Sequence, residues 1–349
     1  MEPIEAGPFT FYPLGITVAL LLILFYISVA FIMKKRGLKP GTASWFAVLS
    51  IPLCFATARL GFCLTQLDLL VETEDWGMFF RTGEGGFLLW GAIGGLLIAA
   101  ALTGKLTAQG TGKIADSVIV PTCLMIAAIR VVCGLMFAEQ EMGFSIAKWF
   151  DPEETDYACR YSLWMLEDYS FFERLPFAVE NYYGVWCWAI FVPEALWACF
   201  MAWITGRNKS KNGGRTALFI ILYACGQILW EGMRRGRVIY LPWQGFVKVN
   251  QILCAFALVA VICVCLKRLQ KEVRGKAALI CFVQVILAMG IVVAIEFAAF
   301  EKKITLIETW PADVCHVIEG LACLWMGLAV HRLWKKAYAL HAGNTLVES

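Results

Sequence analysis

The chain has 349 residues, a formal net charge of +3 and only 16% charged residues. Its hydrophobic content of 60% and mean hydropathy of +0.69 are too high for a soluble fold of this size. The composition therefore excludes an ordinary soluble enzyme, and the small positive charge gives no reason to expect a nucleic-acid partner. We expect an all-α, polytopic transmembrane bundle.

A helix of roughly 20 apolar residues is long enough to cross a bilayer. The sequence contains nine such runs, and the third and seventh are the shortest, so counts of eight to ten remain open. The runs cover residues 14–33, 45–67, 86–103, 115–137, 184–205, 217–235, 249–266, 277–299 and 314–334. The acidic start Met1–Glu5 lacks the basic segment of a cleavable signal peptide, so we expect the first run to be retained.

Basic residues are distributed unevenly between the two sides that these spans define. With the N-terminus outside, the cytoplasmic segments hold 18 of the 30 Lys and Arg residues, the opposite segments hold ten, and Arg59 and Arg130 lie inside spans. Cytoplasmic loops of membrane proteins are enriched in Lys and Arg. The sequence therefore predicts an outside N-terminus, a cytoplasmic C-terminus and an odd number of spans.

Two connections are longer than ordinary turns, one at about 68–85 and one at about 139–183. The second is rich in aromatic residues and is expected to fold onto the membrane surface as a small outer head between spans four and five. It could dock a substrate or act as an interfacial plug without specificity. The 14 cysteines lie mostly inside apolar runs, where Cys packs as a small hydrophobe. No metal-ligand spacing is found, and we expect no cofactor.

Ionisable residues inside membrane spans are costly and are functional hypotheses by default. Here they are Arg59, Arg130, Glu194, Glu231, Glu296 and Glu319, with His316 near a membrane edge. Arg130 has no acid within one helical turn, so it requires a carboxylate from another helix or a lipid phosphate. Arg59 is open to the same two interpretations.

Polar residues of the sixth and third spans follow helical spacing. Gln227, Glu231 and Arg234 are spaced i, i+4 and i+7 and are predicted to share one helix face. Arg234 and Arg235 belong to a basic cluster that opposes the positive-inside bias, which indicates either an outer-leaflet anion or local ion pairs. The Gly91 and Gly94 region of the third span could allow close helix packing or expose backbone N–H groups to a ligand.

Taken in order, these segments resemble the prolipoprotein diacylglyceryl transferases over about residues 8–266. The matching segments are Tyr12-Pro13-Leu14-Gly15-Ile16, the runs at 58–62 and 85–95, Asp116 with Pro121, Arg130 with Glu139 and Gly143, Pro193, the pair Glu231 and Arg234, and Asn250-Gln251-Ile252-Leu253. The resemblance implies a seven-span core. We therefore divide the chain into a core at 1–267, which includes the head loop, and two extra spans with a short tail at 268–349.

The resemblance also implies an activity at the outer face of a bacterial plasma membrane. The family transfers a diacylglyceryl group from phosphatidylglycerol to the thiol of a lipobox cysteine in preprolipoproteins, and releases glycerol phosphate. The acceptor supplies the cysteine, so no cysteine of this chain need be a nucleophile. By resemblance, the catalytic residues are Arg130, Glu231 and Arg234, and the residues that bind phosphatidylglycerol or another anionic phospholipid are Arg59, Gln227, Gly91, Gly94, Glu139 and Arg235.

The sequence departs from the family pattern at three positions. Trp90 stands where a His is common, Cys133 replaces an Asn, and Gln227 replaces an Arg. The lost His could have accepted the thiol proton. Three hypotheses therefore stay open: an active transferase, a relative that only binds phospholipid or lipoprotein, and a small-anion transporter. A transporter is expected to show internal symmetry, which we do not find.

Overall fold

The computed structural model describes residues 4–6, 9–11, 13–81, 86–136, 178–180, 186–210, 212–234, 239–242, 244–297 and 312–344. Within them, helices dominate. They are α1 (Pro13–Lys35), α2 (Thr42–Leu64), α3 (Leu67–Thr73), α4 (Leu89–Leu106), α5 (Thr111–Met136), α6 (Phe191–Arg207), α7 (Gly214–Met233), α8 (Val249–Arg268), α9 (Lys271–Ile295) and α10 (Ala312–Asn344). A single 3₁₀ turn, Trp76–Phe79, follows α3.

Three antiparallel hairpins of two strands each add to the helices, and the sequence did not predict them. They pair β1 (Ile4–Ala6) with β2 (Phe9–Phe11), β3 (Ala178–Glu180) with β4 (Trp186–Trp188), and β5 (Tyr240–Leu241) with β6 (Gln244–Lys248). Strand β4 occupies the start of the predicted fifth span, so α6 begins at Phe191 instead of 184. Most of the predicted head, 139–177 and 181–183, lies outside the described residues.

The described helices confirm the predicted membrane bundle. Eight are long and apolar enough to cross a membrane, by length and composition. The ninth long helix, α6, has 17 residues and is about 26 Å long at 1.5 Å per residue. It packs along α5, with Glu194 near its start beside Arg130. The protein is therefore a multi-pass helical membrane protein.

The bundle has two chemically different ends. The connections after α1, α4, α6 and α8 meet at one end, where Lys39 N–H donates to Gln109 at 2.8 Å and Arg268 donates to Asn212 O at 2.7 Å. Lys and Arg residues flank these connections, so we call this the basic end. Asp116 anchors it by accepting hydrogen bonds from Gly213 N and Thr216 N, both at 2.9 Å. The first helix runs towards the basic end, and α10 also ends there.

Helix α7 lies at the centre of the packing. Its residues belong to two buried clusters, one shared with α4, α5 and α6 and the other with α8, α9 and α10. A third cluster joins α1, α2, α4 and α5. Of the two C-terminal helices, α10 packs directly on α7 and α8, while α9 packs mainly on α10.

Glycines of α4 let it approach α2 closely. A Cβ at Gly91 would lie 2.7 Å from Ala58 Cα, and one at Gly95 would lie 2.7 Å from Cys54 Cα and Leu53 O. A Cβ at Gly94, by contrast, would meet nothing within 4 Å. Gly91 and Gly95 therefore allow α4 to pack closely against α2.

We expect Gly95→Ala to destabilise the protein by about 1–3 kcal/mol, because a methyl group there forces two helix backbones apart. Gly94→Ala is the matched control. It adds a methyl group in open space and gains about 1 kcal/mol of helix propensity. Thermal unfolding in detergent measures both, and a Gly95→Ala variant at least as stable as the parent would contradict this packing.

Candidate functional site

A network of buried polar side chains lies at the end of the bundle opposite the basic end. At its centre is Glu194, in the first turn of α6. Glu194 Oε2 lies 3.3 Å from Arg130 Nε of α5 and accepts a short hydrogen bond from Arg234 Nη2. The side chains of Glu194 and Arg234 are 3% and 5% exposed, while that of Arg130 is 21% exposed. Two cations from separate helices thus share one carboxylate.

Two neutral amides extend the network to a second acid, Glu231. Gln227 Nε2 lies 3.4 Å from Glu194 Oε1 and 3.3 Å from Glu231 Oε2. Asn250 of α8 donates to Glu231 Oε1 at 3.0 Å. Among the described residues, Glu231 therefore has amide contacts only, whereas Glu194 has two cationic contacts in addition to Gln227. Each acid is held by a different chemistry within the same network.

Local sequence explains why these side chains meet. Pro193 is tolerated in the first turn of α6 because backbone N–H groups there have no helical partner, and an acid is favoured at the same place. Helix α7 ends at Met233, so Arg234 follows it in extended conformation, with ψ 134°. A cation is favoured beside the carbonyl end of a helix. Arg234 thus reaches Glu194 from just beyond the helix, not from the predicted helical face.

Two aromatic side chains, Trp90 and Tyr223, lie between the network and the basic end, and we call them the floor of the site. Tyr223 is one turn before Gln227 on α7, and it is 4% exposed. Its ring meets that of Trp90 edge to face, with centroids 5.1 Å apart. The buried Cys254 lies one turn after Asn250 on α8. Trp90 and Tyr223 therefore place apolar ring surface next to the charged groups.

Arg59, expected at the substrate site, lies elsewhere in the described structure. Its guanidinium donates to Gly86 O at 3.0 Å, to Arg81 O at 2.9 Å and to Met78 O. The rings of Phe62 and Phe87 lie 5.7 and 5.8 Å from it. Arg59 thus ties the segment between α3 and α4 to α2, and a substrate contact for it stays a prediction.

The other expected residues divide into three groups. The network brings together Arg130, Gln227, Glu231 and Arg234. Gly91 and Gly94 lie in the first two turns of α4, where Gly91 serves helix packing. Glu139 and Arg235 lie outside the described residues. No described group of three His, Cys, Asp or Glu side chains is placed to hold a metal ion.

Sequence reasoning left the residue at the centre of the network out of the expected site. Glu194 was named only as an ionisable residue inside a span. Its distance along the chain from Arg130 and Arg234 does not indicate that the three side chains meet. Asn250 was named only as part of a segment that resembles the family. The usable clue was Arg130, which was predicted to need either a carboxylate from another helix or a lipid phosphate, and Glu194 supplies a carboxylate.

Comparison with known proteins places the chain in a family. The family model described as prolipoprotein diacylglyceryl transferase matches residues 3–267, more than half of the chain. The chain belongs to the prolipoprotein diacylglyceryl transferase family. All residues of the network lie inside the matched segment, whereas α9 and α10 follow it.

Individual relatives of the family are distant. The phosphatidylglycerol–prolipoprotein diacylglyceryl transferase of Paenarthrobacter aurescens is 26% identical over 247 residues, 67% of this chain and 72% of that protein. Transferase 1 of Streptomyces coelicolor is 27% identical over 204 residues, 57% of this chain and 53% of that protein. The transferase of Halalkalibacterium halodurans is 33% identical over 103 residues, 29% and 35% of the two chains. The chain thus spans about half the length of the Streptomyces relative.

Two of the three departures from the family pattern lie at this site. Gln227 is in the network itself, so an amide replaces a cation between the two acids. Trp90, in place of a His, forms part of the floor. Cys133 lies one turn beyond Arg130 on α5. The described network therefore holds two guanidinium groups and two carboxylates, and no imidazole.

We expect Glu194→Gln to destabilise the protein by about 3–5 kcal/mol, because it leaves two buried guanidinium groups without a shared counter-charge. Glu72→Gln, on the exposed surface of α3, is the control for a lost carboxylate and should unfold like the parent. Thermal unfolding in detergent tests the difference. Equal melting temperatures for the two variants would show that Glu194 does not hold the arginines together.

Proposed function

We propose that the protein transfers a diacylglyceryl group from phosphatidylglycerol to the thiol of a lipobox cysteine. The observation that carries this proposal is the convergence of Arg130 and Arg234 on one buried carboxylate. A carboxylate and a phosphodiester present similar oxygen pairs to guanidinium groups. The phosphate of phosphatidylglycerol can therefore take the N–H groups of Arg130, the more exposed of the two arginines, while Glu194 keeps Arg234 in place.

The proposed reaction breaks one bond and forms one. The acceptor sulfur attacks the diacylglyceryl carbon that is bonded to phosphate oxygen, so a C–S bond forms as the C–O bond breaks. Glycerol phosphate leaves with the bonding electron pair, and the arginines stabilise the charge on it. The thiol proton goes to Glu231, the acid that the described residues hold by neutral amides only. Glu231 thus takes the role that the resemblance assigns to a His.

The same proposal sets the orientation in the plasma membrane. Lys and Arg cluster at the basic end, and cytoplasmic loops are enriched in them. We therefore propose that the basic end faces the cytoplasm, with the N-terminus outside and the C-terminus inside. The network then lies towards the outer leaflet, where secreted lipobox proteins and phosphatidylglycerol meet. Phosphatidylglycerol is proposed as the donor, and other anionic phospholipids share the phosphate that Arg130 would contact.

We expect Arg130→Ala to lower diacylglyceryl transfer by about 100-fold or more, since removal of one charge-stabilising donor typically has this effect. The assay uses purified protein reconstituted with phosphatidylglycerol and a lipobox peptide, and mass spectrometry detects the added diacylglyceryl mass. Arg207→Ala is the matched control, because Arg207 is exposed at the basic end and contacts only Trp203 among the described rings. If the parent protein retains lipid but yields no product, the non-catalytic phospholipid binder is favoured. The specific reason to consider that alternative is Trp90, which stands where a His is common in the family.

We expect Glu231→Gln to lower kcat strongly with little change in the KM for phosphatidylglycerol, because the amide keeps the shape of the network but cannot accept the thiol proton. Raising the pH should restore part of the rate as more peptide thiol becomes thiolate. Initial rates at several lipid concentrations and pH values measure this. A large rise in KM with unchanged kcat would instead make Glu231 a lipid-binding group.

A further inference from the structure

A second polar site lies on the other side of α7, where the helices that follow the family match meet the core. Between α8 and α9 is a groove of about 330 Å³. Its apolar walls are Ile252, Phe256 and Val259 from α8 and Met289, Val292 and Val293 from α9. Phe256, Val259 and Val293 are each at least 40% exposed. In a membrane, these side chains open the groove directly to lipid.

One end of this groove is charged. Lys248, which immediately precedes α8, donates from Nζ to Glu296 Oε2 at 2.9 Å. Gln251 Nε2 donates to Glu296 Oε1 at 2.9 Å. The Lys248 and Glu296 side chains are only 9% and 11% exposed. Burying an ion pair at a lipid-facing groove costs desolvation energy, and ionisable groups placed there are functional hypotheses by default.

A second carboxylate lies behind Glu296. A Cβ at Gly232 would be 2.9 Å from Glu296 Oε1 and 3.2 Å from Glu319 Oε2, so both acids reach the same point on α7. Glu319 is 1% exposed, and its Oε2 lies 3.1 Å from His316 Nδ1. Among the described residues, Glu319 Oε1 has no hydrogen-bond partner. Glu296 thus lies with Lys248 at this end of the groove, while Glu319 lies behind it in contact with His316.

We propose that the groove between α8 and α9 binds a phospholipid with a primary-ammonium headgroup. One acyl chain lies between Val259 and Val293, the phosphate accepts from Lys248, and the lipid ammonium donates to Glu296. Lys248 has three N–H donors and gives one to Glu296, so it can also serve a phosphate. The inference concerns lipid binding alone and holds whether or not the chain transfers diacylglyceryl groups.

Charge selects this headgroup over the other common ones. An anionic phospholipid would bring a phosphate to Lys248 but no cation to Glu296. A choline headgroup carries a positive charge but no N–H, so it cannot donate to Glu296. A primary ammonium supplies both. The site also has contacts of its own on α7: Gly232 lies beside Glu296, and Ile228 O accepts from Gln251, whereas Gln227 contacts Glu194 of the Arg130 network.

Native mass spectrometry of the delipidated full-length protein tests the proposal. The probes are dioleoyl phosphatidylethanolamine, phosphatidylcholine and phosphatidylglycerol, added separately without peptide. We expect phosphatidylethanolamine to bind about tenfold more tightly than phosphatidylcholine, as one charge-assisted hydrogen bond would give. Glu296→Gln should abolish that preference. Arg130→Ala should keep it, which separates this site from the proposed transferase site.

A groove-filling variant keeps the test decisive if Glu296→Gln fails to fold. Val259→Trp should remove the preference for phosphatidylethanolamine by occupying the space of the acyl chain. Leu287→Trp, on the exposed surface of α9 away from the groove, should preserve it. Equal binding of phosphatidylethanolamine and phosphatidylcholine to the parent would overturn the proposal. A preference that survives in Val259→Trp would overturn it as well.

Discussion

The carboxylate of Glu194 is the interaction on which the rest of the site depends. Two guanidinium groups buried in a membrane bundle repel each other and lose their hydration, so they need a shared anion. Glu194 supplies it from a third helix and joins α5, α6 and the end of α7. Without that acid, Arg130 and Arg234 would have to point towards lipid headgroups or separate. The same electrostatic requirement that holds the helices together therefore holds two guanidinium groups in one place, where we propose that they bind phosphate.

Helix α7 borders two different clusters of polar side chains. Gln227 and Glu231 belong to the network that holds the arginines. Gly232 lies beside Glu296 and Glu319, and Ile228 O accepts from Gln251. Asn250 and Gln251, adjacent on α8, repeat this division by contacting Glu231 and Glu296 respectively. The helices beyond the family match therefore add a second polar site instead of completing the first. Under our two proposals, the substrate lipid and a second bound lipid would be recognised by separate groups.

The helical bundle and the family could be predicted from the sequence, because apolar length and ordered motifs are local signals. Helix periodicity also put Gln227 and Glu231 on one face. The centre of the network could not be predicted, since Glu194 meets Arg130 only through the packing of α6 on α5. The partners of Arg59 could not be predicted either. Backbone carbonyls of the segment after α3 accept its hydrogen bonds, and a ligand contact for it stays a prediction. The short hairpins escaped notice because runs of two to five residues give no periodicity.

The central claim is that the arginines held by Glu194 bind the phosphate of the donor lipid. An experimental density map of the protein in phosphatidylglycerol-containing nanodiscs tests it most directly. The account predicts a lipid phosphate within hydrogen-bonding distance of Arg130, with Arg234 still on Glu194. Density that places the phosphate away from Arg130, with both arginines bound to Glu194 alone, would contradict it.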